Sequence, residues 1–199
     1  FNRKFAAYYD STKAPYDALL NEYERGMTMD KLDLFFSTLR EKLVPVIRAI
    51  GQQPQLDDSF LHGDFPIEQQ RKFSDKVMAM MGIDRGDCNI AETEHPFTTN
   101  FNKWDVRITT NYSEDNMVDS MYSVIHEGGH ALYELNVSDD FAYTVLDGGV
   151  SMGIHESQSR FYENLLGRSR AFVGYIFPKM QECFPAQLAS CTAEDVYRA

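Results

Sequence analysis

The chain is 199 residues long, 43% hydrophobic and 25% charged, with a formal net charge of −11, proportions ordinary for a soluble globular protein. So acidic a sequence, with no basic patch, repels phosphate backbones and anionic lipid surfaces, which argues against nucleic acid and membranes as partners. No run approaches the roughly 18 apolar residues of a membrane span, the opening FNRKFAAYYD lacks the pattern of a signal peptide, and Cys88, Cys183 and Cys191 show neither disulfide-framework nor CxxC spacing, so a reducing, cytoplasmic setting is expected.

In chain order, Pro15 suits the first turn of a helix over 15–25, and Gly26 and Thr28 punctuate before the next. From Met29 to Ile50 the apolar residues Leu32, Phe35, Phe36, Leu39, Leu43, Val46, Ile47 and Ile50 recur every three or four positions, which predicts a long amphipathic helix with one inward face; Pro45 is placed to kink it. Pro66 opens a helix to about Met81, with Phe73, Val77, Met78 and Met81 inward and Gly82 as its C-cap. The methionines read as packing.

Between Asp87 and Tyr112 the segments NIAETEH, FTTNF and VRITTNY predict short strands in a small antiparallel sheet. Helical periodicity returns at 116–135 and 149–166. The last residues, TAEDVYRA, read as a helix just begun, with Thr192 as N-cap and Asp195 at its third position. With Phe rather than Met at position 1, an internal piece of a longer protein is expected.

The helix at 116–135 carries His126-Glu127-Gly128-Gly129-His130. Histidines four apart project from one face of a helix and can reach one ion, while Glu127 sits one step round, near enough to serve as general base toward a water that a metal activates. Two glycines in a helix cost about 1 kcal/mol each relative to alanine, so they suggest room for backbone or substrate to approach on an exposed cleft face. A catalytic zinc usually takes a third protein ligand. A Gly at 133 and a His at 136 would mark a metzincin, but Tyr133 and Asn136 stand there. The helix-like GVSMGIHESQSRFYEN offers Glu156 as third ligand, with His155 and Glu163 as competitors; neighbours on a helix point about 100° apart, so of His155 and Glu156 one faces the ion and the other supports a ligand.

HEGGHALYE followed by HESQSRFYEN closely resembles the M32 family of metallocarboxypeptidases, and two upstream segments strengthen the resemblance: His95-Pro96-Phe97 is similar to the family's HPF motif and Asp105-Val106-Arg107-Ile108-Thr109 to its DxRxT motif. The resemblance implies a mainly α, gluzincin-like fold with its small sheet near the active site. It implies zinc on His126, His130 and Glu156, with Glu127 as base; cobalt is the alternative metal, and the helix geometry above leaves His155 to support the ligands. It further implies release of single C-terminal residues from peptides with broad specificity, and a homodimer in the full-length protein.

If VRITTNY were an edge strand beside the zinc helix, it could hold an extended peptide by strand addition, with His95 and Arg107, and with them Asp105 and Thr109, shaping the cleft; a structural Asp105–Arg107 ion pair is the plainer alternative. Members of the family carry further motifs beyond HESQ, including one like GxxQDxHW, which this chain lacks. Residues 1–199 are therefore expected to be one fragment of a catalytic domain, holding the metal ligands with weak or absent activity. The rival readings are an endo- or aminopeptidase on the same scaffold and a helical interaction module that has lost catalysis.

Overall fold

The computed structural model describes residues 1–9 and 11–199. Helices dominate: α1 (Asn2–Tyr9), α2 (Pro15–Tyr23), α3 (Met29–Gly51), α4 (Ile67–Met80), α5 (Met117–Leu135), α6 (Met152–Arg160), α7 (Arg170–Cys183) and α8 (Ala193–Arg198), with strands β1 (Cys88–Glu92), β2 (Thr98–Asn102) and β3 (Asp105–Thr110) between α4 and α5. Among the described residues, no helix is long and apolar enough to cross a membrane.

The chain forms two compact units, one of residues 1–55 with 151–153 and one of 56–150 with 154–199. In the first unit, Pro15 does begin α2, and Thr28 caps α3 by accepting from the Lys31 N–H. The Glu24 carboxylate accepts from the Ser151 hydroxyl and the Gly153 N–H. α3 runs unbroken through Pro45, but the inward face expected of it is open: among its described residues none is buried, and Phe36 and Ile47 are 56% and 57% exposed. The periodicity specified the helix correctly, but among the described residues of α3 the apolar stripe stays exposed.

The second unit holds the core. Phe73, Val77 and Met78 of α4, Val106 and Ile108 of β3, Met121, Val124 and Ile125 of α5, and Val173, Ile176 and Met180 of α7 are buried together. Each such side chain contributes roughly 1.5–3 kcal/mol by leaving water. Phe184 stands edge-on to Phe65 and Phe73. Gln70 is buried with its polar ends satisfied: its amide donates to the Phe65 and Ser113 carbonyls and its oxygen accepts from Ser120. Gly82 ends α4 at φ +76, and Asn116 caps α5 by accepting from the Val118 and Asp119 N–H groups. Thr192 and Asp195 make the reciprocal cap of α8.

The sheet differs from the expected antiparallel one. Its order is β1-β3-β2, with β1 parallel and β2 antiparallel to β3. β2 and β3 form a tight hairpin, in which the Asn102 side chain accepts from the Trp104 N–H. The link from β1 arches over the end of β3 instead of turning back beside β1: Thr93 N–H donates to the Thr110 carbonyl and Thr109 N–H to the Phe97 carbonyl. β3 is thus the central strand rather than an edge, and the open edges belong to β1 and β2.

Candidate metal centre

Everything about the site starts from α5. His126 and His130 lie one turn apart on it, and their Nε2 atoms face Glu156 of α6, whose Oε2 is 3.8 Å from the first and 3.3 Å from the second. These three residues form a group whose potential ligand atoms all lie within 4.8 Å of one another. Two neutral imidazoles and a carboxylate are a donor set that suits zinc.

The approach of α6 depends on a glycine. A Cβ on Gly129 would stand 2.7 Å from the Ser159 Cα and 3.0 Å from the Gln158 carbonyl oxygen, so only glycine lets the two backbones come this close. Gly128 faces the other way, and a Cβ there would meet the end of Met81 at 2.8 Å. Both glycines are buried, not on an exposed cleft face, and the room they make is taken up by packing.

Glu127 is also buried, and its Oε2 accepts from the Thr98 hydroxyl at 2.5 Å. Burial raises its carboxyl above the usual range, and the Thr98 bond and nearby His126 only partly oppose that. Burial pushes His130 down to about 4, with the neighbouring imidazoles acting in the same direction, so its ring is neutral at neutral pH with a lone pair to offer. Burial alone would raise the Glu156 carboxyl, but the Arg160 guanidinium and the two histidines outweigh it and keep that group ionised. Ser123, His126, Glu127, Arg160 and Glu163 border an open hollow beside these groups.

The two competitors for third ligand sit elsewhere. Glu163 lies on the far side of His126, its Oε2 2.9 Å from Nδ1, and Arg168 and Arg160 hold its carboxylate at 2.8 and 3.2 Å. It belongs to a π-helical stretch, Phe161–Gly167, that continues α6; the widened turn is a form often met at functional sites. His155 stands against the Nδ1 of His130 at 2.6 Å.

The upstream segments are placed by β-strand alternation. Thr98 and Asn100 are in register with Ile108 and Val106 and turn toward α5, where they reach Glu127 and Glu134. Asp105, Arg107 and Thr109 alternate with these on β3 and so occupy the opposite sheet face. Arg107 there makes a bidentate pair with Asp105 at 2.8 and 2.9 Å and covers the Phe101 ring. The Thr109 hydroxyl accepts from the Phe97 N–H at 2.8 Å, which fastens the turn at 93–97 to β3. His95 is exposed in that turn, three residues before Thr98. Sequence reasoning did not single out Thr98, Asn100, Glu134 or Arg168. Glu134 had a signal, as an acid four residues beyond His130 on the inward stripe of α5.

The family model for carboxypeptidase Taq (M32) metallopeptidases matches residues 1–199. Carboxypeptidase 1 of Bacillus subtilis is 40% identical over 202 residues, covering 100% of this chain. Thermostable carboxypeptidase 1 of Pyrococcus furiosus is 38% identical over 203 residues, covering 98% of it. The crystal structure of an M32 carboxypeptidase from Deinococcus radiodurans R1 superposes with a TM-score of 0.92 at 42% identity over 100% of the chain. In each case the match takes in 40% of the relative's own length. With the family pattern running unbroken from first residue to last, the chain belongs to the M32 metallopeptidases.

Proposed function

We propose that this chain carries the metal-binding and general-base groups of a zinc metallocarboxypeptidase that removes single residues from peptide C-termini with broad specificity. The observation that carries the reading is the convergence of His126 Nε2, His130 Nε2 and Glu156 Oε2 beside a buried Glu127. Zinc held there supplies Lewis-acid polarisation of water and of the scissile carbonyl; cobalt could take its place.

Glu127 takes a proton from the attacking water and passes it to the leaving amine. Its raised pKa brings it nearer the range in which a carboxylate both accepts and returns a proton at neutral pH. Thr98 fixes the carboxylate against α5. The turn holding His95 leads directly into β2, so His95 is proposed to border the cleft, and the open edge of β2 is the strand against which an extended peptide would lie. For Arg107, Asp105 and Thr109 the proposed part is to brace that hairpin. Residues 1–199 are proposed to act as part of one catalytic domain, in a cytoplasmic, homodimeric enzyme.

Metal analysis tests the centre: about one equivalent of zinc per chain, lost in His130→Ala, is expected, and unchanged binding in that variant would contradict the ligand assignment. In a catalytically active form of the protein, Glu127→Gln should abolish turnover while zinc stays bound. Mass analysis of products from one long peptide should show stepwise C-terminal shortening. Internal fragments would instead indicate an endopeptidase. The 199-residue chain alone is expected to release little or nothing.

A further inference from the structure

Behind His130 stands a second histidine, and behind that a buried acid. His130 Nδ1 lies 2.6 Å from His155 Nδ1, and His155 Nε2 lies 2.6 Å from Glu134 Oε1. Glu134 is 6% exposed and also accepts from the Gly149 N–H at 3.1 Å and the Asn100 amide at 2.9 Å. The His155 ring is held in place on its other sides: Tyr133 stands edge-on to it, and a Cβ on Gly149 would come within 2.8 Å of its Cδ2.

The order of protons along this row follows from hydrogen-bonding rules. An ionised carboxylate only accepts, so His155 Nε2 carries a hydrogen and donates it. In that Nε2–H tautomer the His155 Nδ1 is a lone pair, and two ring nitrogens 2.6 Å apart need one donor between them. That donor is His130 Nδ1–H. His130 Nε2 is therefore left bare, and it is the atom that faces Glu156 and His126.

We infer that His155 and Glu134 are a positioning pair, which sets the tautomer and the ring angle of His130 and so presents its Nε2 lone pair to the metal. The inference rests on the metal centre proposed above. His126 reaches the same end with a single carboxylate, Glu163. On the His130 side the acid sits one imidazole further back, where the Gly149 loop and β2 both bind it.

Two measurements test the pair. Long-range 1H–15N NMR of the metal-free chain should show His130 protonated on Nδ1 and His155 on Nε2; His130 found mainly as its Nε2–H form would overturn the inference. Chelator-competition titration should show zinc binding weakened about 10–100-fold in His155→Leu, with most of the loss recovered in His155→Gln, whose amide can accept from His130 and donate to Glu134. Wild-type affinity in His155→Leu, or no recovery in His155→Gln, would count against the pair alone. Failure of the wild-type chain to bind zinc would remove the metal centre itself and this inference with it.

Discussion

The two histidines of the metal group are matched in sequence and mismatched in support. His126 is backed by one carboxylate, held by two arginines each more than half exposed, at the border of an open hollow. His130 is backed by a row of two residues that ends in a buried acid with four hydrogen-bond contacts to its carboxylate oxygens. Water can replace what is lost on the first side; on the second, a missing partner leaves polar groups dry, and each such group costs about 1–3 kcal/mol. The difference shows that one motif can put identical side chains into settings with different tolerance to change.

The largest expected effect comes from Glu134→Leu, which removes the acid and strands His155, Asn100 and the Gly149 N–H. Zinc affinity should fall about 100-fold, and chemical unfolding should show a loss on the order of 2–4 kcal/mol. Glu163→Ala should weaken zinc only about 10-fold, with little change in stability. Equal losses in the two variants would erase the contrast between the two sides.

Next in size is the pair of glycines. Gly129→Ala puts a methyl group against the Ser159 backbone, which cannot yield without moving α6. A loss of about 1–3 kcal/mol is expected, accompanied by weaker zinc binding because Glu156 moves with the helix. At Gly128 the new methyl meets the end of the flexible Met81 side chain. Thermal melts should therefore show a smaller loss for Gly128→Ala, with zinc affinity near that of the wild type. The smallest effect is expected from Arg107→Ala on the far sheet face, where an exposed ion pair is worth about 0–1 kcal/mol; zinc titration should give an unchanged affinity.

Much of this was legible in the sequence where it depended on local rules. The helical run of α5 with its four-residue histidine spacing, the Gly82 stop and the Thr192 cap are short-range features, and each is found where it was read. α1 and α7 were not foreseen. α7 carries its buried residues at Val173, Ile176, Phe177 and Met180, a helical spacing, but Gly174, Pro178 and the aromatic run FVGYIF dilute it. The strand order was illegible because it depends on an arch at 93–97 whose bonds reach across to β3.

Within the site, the sequence offered Glu156 as third ligand but left His155 and Glu163 as competitors. Only the packing of α6 on Gly129 separates one that faces both Nε2 atoms from two that stand behind the rings. The open stripe of α3 has the same lesson in reverse: periodicity states which face is apolar, while the cover for that face lies outside what periodicity can report.

The most direct test of the central claim is a crystal structure of the zinc-loaded chain. It should show the ion about 2.0–2.2 Å from His126 Nε2, His130 Nε2 and a Glu156 oxygen, with Glu163 and His155 still on the Nδ1 sides of the two rings. Zinc bound through either Nδ1 atom, or coordinated by Glu163 or His155 in place of Glu156, would contradict it.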